Sequence, residues 1–186
     1  MKIACLGWGS LVWNPRQLPI HSGWLEDGPL VPVEFTRQSD DGRMTLVVEP
    51  RAAPLTVLWA HMVPLDLAPA VRALCNREGI ADQNCSSWIG SWNRGESAPR
   101  NIADLPGWAE THEIDAVVWT ALSPRFEGKA RSPSADEVID YLRGLREPLR
   151  RRATEYIQRA PRQIDTDYRR QITIALGWSF DTCESA

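Results

Sequence analysis

Lys2-Ile3-Ala4-Cys5-Leu6-Gly7-Trp8-Gly9-Ser10-Leu11-Val12-Trp13-Asn14-Pro15 is the stretch on which the fold turns. Residues 2–6 are an apolar run too short for a helix and bounded by glycine, the pattern of a buried first strand. Gly7 and Gly9 end it. Pro15 disfavours helical backbone at Asn14, so a strand-to-loop turn with no immediate helix is predicted. Outward from this turn, residues 30–36 (LVPVEFT) and 43–49 (RMTLVVE) flank Ser39-Asp40-Asp41-Gly42, whose Asp-Gly pair signals a hairpin. Residues 54–63 (PLTVLWAHMV) continue with strand-forming residues, and together these segments predict an antiparallel meander.

The period then changes. Leu67, Ala70, Val71, Leu74 and Cys75 recur at helical spacing behind Asp66, a suitable N-cap, and the helix is predicted to stop between Asn76 and Gly79. Residues 80–112 are rich in Gly, Ser, Asn and Trp without clear period and predict a long loop or lid; residues 114–121 return to strand. Ser134 and Glu137 form a capping box opening a helix through Leu145, and helices over about 148–159 and 166–176 are separated by Pro161. Strands first and helices last predict an α+β fold: a small mixed or antiparallel barrel-like sheet, flanking helices and a helical C-terminal third.

Composition narrows the class. The chain has 186 residues, 43% hydrophobic and 24% charged, which argues against disorder and predicts a single domain over residues 1–186, given roughly 150 residues per domain. The apolar runs near 55–63 and 114–122 fall short of the ~18 residues that span a bilayer. Met1–Leu6 is too brief for the apolar centre of a secretion signal, and a cytoplasmic location is expected. Cys5, Cys75, Cys85 and Cys183 form no Cys-x-x-Cys pair and no Cys/His cluster, so reduced, mostly buried thiols are expected, with neither a metal site nor a disulfide. Residues 141–170 carry nine Arg against four acids, but Glu147, Glu155, Asp165 and Asp167 interrupt the series and aromatics do not interleave with it. A self-pairing, solvated helix face fits that pattern better than a nucleic-acid surface.

Two segments invite chemistry. In Gly7-Trp8-Gly9-Ser10-Leu11 the glycines allow close backbone approach, and successive N–H groups can form a nest for a carboxylate or an oxyanion. A tight turn serving only the backbone is the alternative. A dinucleotide fingerprint is excluded, because Val12 holds the third glycine position and Asn14-Pro15 stands where its helix should start. The second segment is Arg77-Glu78-Gly79, where a carboxylate at a helix end is open to partial enclosure and suits proton transfer, with an exposed helix-end Glu as the alternative. Arg37 could pair a substrate carboxylate through its fork, or serve a structural ion pair. Glu127 is the rival carboxylate, in a solvated setting beside Lys129 and Arg131; His21, His61 and His112 form no readable triad with a serine.

Taken together, the Gly-aromatic-Gly-Ser-Leu turn after a first strand, the meander, and Leu74-Cys75-Asn76-Arg77-Glu78-Gly79-Ile80 resemble the γ-glutamylcyclotransferase-like superfamily. That family has a Tyr-Gly-Ser turn and, after a strand and helix, a segment bearing the catalytic glutamate. The resemblance covers residues 2–80 in order, and the Tyr156 and Tyr168 segments resemble the family's C-terminal helices. It implies a small β-barrel without metal or cofactor, a substrate-cradling loop at Gly7, Trp8, Gly9, Ser10 and Leu11, and Glu78 as general acid/base. Trp8 replaces the usual Tyr, which marks a divergent member. The implied reaction is release of 5-oxoproline from a small γ-glutamyl compound when its own α-amine attacks the γ-carbonyl; the alternative is an inactive ligand-binding or interaction module on the same fold. Neither the leaving amine nor the oligomeric state is written in a readable motif.

Overall fold

The computed structural model describes residues 1–178. Strand β1 (Ile3–Gly7) is buried along its whole length. Its alternate side chains enter two cores, Ala4 and Leu6 on one face and Ile3 and Cys5 on the other, which explains an unbroken apolar run in a period-2 element. β1 pairs antiparallel with β5 (Leu58–His61) and parallel with β7 (Ala116–Thr120), and β7 pairs antiparallel with β6 (Ile89–Asn93). The sheet order is β5-β1-β7-β6. Helix α2 (Leu67–Glu78) covers the Ile3 and Cys5 face with Ala70, Leu74 and Cys75.

On the other face lies a second sheet of β2 (Leu30–Gln38), β3 (Met44–Val48) and β4 (Pro54–Thr56), in the order β3-β2-β4. The hairpin between β2 and β3 turns at Gly42, whose φ of 80° is the left-handed conformation that glycine tolerates. Helices α5 (Ala135–Gly144), α6 (Leu149–Arg159) and α7 (Asp167–Leu176) bury Val138, Leu142, Ile157 and Ile172 in this core. The Ser134–Glu137 capping box opens α5 as expected.

Several expectations are corrected. A one-turn helix, α1 (Ser10–Trp13), fits between Gly9 and Asn14, so Pro15 ends a helix here rather than forbidding one. Residues 54–63 are not one strand, because the chain passes at Val57 from the second sheet to the first. β2, not β3, is the central strand, so no simple meander forms, and among the described residues the two sheets do not close into a barrel. The 80–112 segment is not a long loop: it holds a 3-10 turn (Asp82–Asn84), α3 (Cys85–Trp88), β6 and α4 (Leu105–Thr111). Finally, Cys75 and Cys85 form a disulfide with Cα atoms 5.7 Å apart, because α3 folds back on the end of α2. Cys5 is a buried free thiol, and Cys183 lies outside the described residues. No helix among the described residues is long and apolar enough to cross a membrane.

Candidate active site

Helix α2 ends because Gly79 takes φ 68° and its N–H caps the carbonyls of Cys75 and Asn76. Glu78 is therefore the last helical residue, and Arg77 before it points inward with only 8% of its surface exposed. A guanidinium withdrawn from water costs several kcal/mol unless its protons find acceptors, so those acceptors fix its position. Arg77 Nη1 donates to Glu78 Oε1 at 2.7 Å, and Nη2 donates to the Asn14 carbonyl at 2.6 Å and lies 3.5 Å from Ser10 Oγ. The end of α2 is thereby clamped to α1 across more than sixty residues of sequence. Glu78 Oε2 accepts no hydrogen bond from the described residues, and the side chain is 18% exposed.

Glu78 and the whole Gly7–Leu11 turn line one cavity of about 290 Å³, together with Arg37, Arg43, Arg125, Asp40 and Tyr156. Trp8 is built into its wall and does not fill it. Both glycines line the cavity, and each also makes room for a neighbouring side chain. A Cβ on Gly9 would stand 2.6 Å from Tyr156 Oη, and one on Gly7 would stand 2.6 Å from the Trp24 ring. Neither glycine has a left-handed φ. Any anion binding here would therefore use a turn conformation rather than an αR-αL alternation at the glycines.

Tyr156, on α6, faces Phe35 and Trp13 edge-on. Burial pushes its phenol up to about 12, against the pull of hydrogen bonds from the Leu46 and Ser10 backbones and the charge of Arg43; nearby Glu78 adds to the rise. At neutral pH it is a protonated donor beside the turn. Arg37 Nη1 donates to the Ser123 carbonyl at 2.7 Å; burial and then the neighbouring Arg125 lower its pKa. Arg125 pairs with Asp40. The lining thus combines three arginines with two carboxylates, Asp40 held by Arg125 and Glu78 with an oxygen to spare, a set able to hold a small zwitterion and move its protons.

Other candidates fall away. Ser10 Oγ has a cation and no base beside it, and no histidine lines the cavity. Burial, and then the charge of Glu78, raises the Cys5 thiol far above its usual range, so it is no nucleophile. Glu127 is exposed and stands apart from the cavity. Among the described residues no cluster of His, Cys, Asp and Glu could hold a metal ion.

Sequence reasoning missed Arg43, Arg125 and Asp40. Tyr156 carried no signal beyond its place in the family resemblance. Trp88, from the segment taken for a lid, does reach the cavity, from α3.

Neither a family model nor a curated protein matches the sequence. Among solved structures, the chain is similar to a γ-glutamyl cyclotransferase specific to glutathione from yeast, with a TM-score of 0.53 and 13% identity over 95% of this chain and 98% of that one. At that identity the likeness concerns the fold alone: the α+β architecture is shared with that cyclotransferase.

Proposed function

We propose that the chain is a γ-glutamylcyclotransferase-like enzyme, acting as one domain without a cofactor, that converts a small γ-glutamyl compound to 5-oxoproline and a free amine. The observation that carries this reading is the Arg77 clamp, which presents Glu78 with one uncommitted oxygen to the same cavity as the Gly7–Leu11 turn. The shared fold with a γ-glutamyl cyclotransferase supports it.

In the proposed reaction Glu78 takes a proton from the substrate α-ammonium. The freed amine attacks the γ-carbonyl carbon, a C–N bond forms, and Glu78 returns a proton to the leaving nitrogen as the original C–N bond breaks. The ring nitrogen sheds two protons in all. Both end on the released amine, which departs as an ammonium, and Glu78 ends as the carboxylate it began as. Because the attack is intramolecular, holding the chain bent supplies much of the acceleration, and proton transfer by a placed carboxylate adds about 10²–10⁴-fold. Arg37 and Arg43 are assigned to the substrate α-carboxylate, and the Tyr156 hydroxyl to the oxygen that gains charge in the tetrahedral intermediate.

The test is 5-oxoproline release by purified protein from a panel of γ-glutamyl amino acids, γ-glutamyl amines and glutathione. Steady release from at least one is expected; no release from any of them contradicts the reading.

A further inference from the structure

A second cleft, of about 500 Å³, adjoins the first and shares Ser10, Arg43 and Tyr156 with it. Its lining holds five arginines, Arg16, Arg43, Arg77, Arg152 and Arg159, against Asp41 and Glu155. Three of the five cations are matched. Arg43 pairs with Asp41 at 2.9 Å, Arg77 with Glu78 at 2.7 Å and Arg159 with Glu155 at 3.1 Å. Arg43 and Arg159 also lie over the Tyr156 and Trp13 rings, at 5.2 and 5.9 Å from the ring centroids, within cation–π reach. Among the described residues the other two have no carboxylate partner. Arg16 Nη1 donates only to the Arg77 carbonyl, at 3.3 Å, and the Arg152 side chain has no partner among the described residues.

We propose that the amine released from the γ-glutamyl group carries a dianionic group, a phosphate or a pair of carboxylates, which the cleft receives through Arg16 and Arg152. This rests on the reaction proposed above. The γ-glutamyl portion must bring its α-amine and γ-carbonyl to Glu78 in the first cavity, and the proposal places the leaving portion in the cleft beside it. The adjoining cleft is walled by the same Ser10, Arg43 and Tyr156, and it has two surplus positive charges. Guanidinium forks match the oxygen pairs of phosphate and carboxylate, and a concave cationic surface concentrates such anions. A neutral leaving amine would leave both charges unanswered.

The experiment compares 5-oxoproline release from γ-glutamyl conjugates of ethylamine (neutral), glycine (one carboxylate), aspartate (two carboxylates) and phosphoethanolamine (phosphate), for wild type and the double variant Arg16→Gln/Arg152→Gln. At low salt the better of the two dianionic conjugates is expected to exceed ethylamine by about tenfold in kcat/KM, a size set by two exposed charge contacts. In the double variant that ratio is expected to fall to within about threefold, and in wild type to shrink as salt rises. Whichever dianion has the higher kcat/KM identifies the source. Equal kcat/KM for all four conjugates overturns the inference and leaves the proposed reaction standing. Release from glutathione alone overturns the inference; if neither glutathione nor any conjugate yields 5-oxoproline, the reaction is wrong, and calorimetric titration with inorganic phosphate and with succinate then decides the cleft alone. Binding to wild type that the double variant loses keeps it as a dianion site, and no binding overturns it. Binding of a short single-stranded RNA that the double variant loses, with no preference among the conjugates, overturns the small-molecule assignment.

Discussion

Glu34 and Glu78 are both carboxylates drawn in from solvent, and they are held in opposite ways. Glu34 is almost fully buried and both its oxygens are engaged: Oε1 accepts from the Phe35 N–H at 2.8 Å and from Thr166 Oγ1, and Oε2 accepts from the Tyr168 N–H at 3.1 Å. It ties β2 to the first turn of α7. Glu78 engages one oxygen with Arg77 and turns towards a cavity. A carboxylate whose acceptor sites are all filled by the chain is a structural tie, whereas one with a free oxygen beside a cavity can take and return a proton. Burial alone does not separate the two, since Glu34 is the deeper.

The contrast is broken most directly at the larger effect. Glu78→Gln keeps the shape of the side chain and removes its base, so turnover is expected to fall about 10²–10⁴-fold while the thermal midpoint changes by only a few degrees. Steady-state rates alongside calorimetry check both. Retained turnover would place the chemistry elsewhere.

Next comes the contact between Gly9 and Tyr156. Gly9→Ala sets a Cβ 2.6 Å from Tyr156 Oη, but the next ring atom, Cζ, lies at 3.6 Å, an ordinary contact. Gly9→Ala is therefore expected to cost about 2 kcal/mol through overpacking. Adding Tyr156→Phe removes the clashing oxygen and should restore part of that loss, a coupling of about 1 kcal/mol or more in a double-mutant cycle read by urea unfolding. Strict additivity would show that the turn yields instead.

The Cys75–Cys85 bond closes a loop containing Glu78 and Gly79, with a sequence separation of 10. Cys85→Ser is expected to lower stability by about 2–3 kcal/mol, the loop-closure entropy for that length, and the difference should vanish when wild type is unfolded in reductant. An unchanged midpoint under oxidising conditions would refute the pairing.

The smallest effect sharpens the Glu34 side of the comparison. Burial raises the Glu34 carboxyl above its ordinary value, although Thr166 and the Phe35 and Tyr168 backbones pull the other way. A raised carboxyl stabilises the fold below its unfolded pKa of about 4.3, and that contribution is lost as pH rises through the folded value. Glu34→Gln has no such titration. It is expected to be about 1–2 kcal/mol less stable than wild type at acid pH, through loss of one acceptor, and the gap should narrow towards neutrality. A gap that widens with pH would reverse the assigned cause.

Much of the scaffold was legible because its signals are local. The apolar run of β1, the Asp-Gly hairpin at Gly42, the stop of α2 at Gly79 and the Ser134 capping box each depend on a few adjacent residues. So did the two halves of the candidate site, Gly7–Leu11 and Arg77-Glu78. What joins them was not legible, since the Arg77 clamp, the Arg125–Asp40 pair and the arrival of Tyr156 beside Gly9 are contacts between distant segments. The disulfide escaped for the same reason: Cys75 and Cys85 meet only because the chain reverses after α2. Strand β6 was hidden by its own composition. Ile89 and Trp92, its buried residues, are three apart and do not alternate, and Gly90 is there because the Trp119 ring lies where a Cβ would stand.

The most direct test of the central claim is a single-turnover measurement of 5-oxoproline formation, with enzyme in excess over a γ-glutamyl substrate that wild type converts, run in parallel with Glu78→Gln. Binding of that substrate to both proteins is measured by calorimetry. The expected result is comparable affinity in the two, with product formed by wild type and at least a hundredfold slower in the variant. Product formation by Glu78→Gln within tenfold of wild type would contradict the assignment of Glu78 as the group that moves the proton.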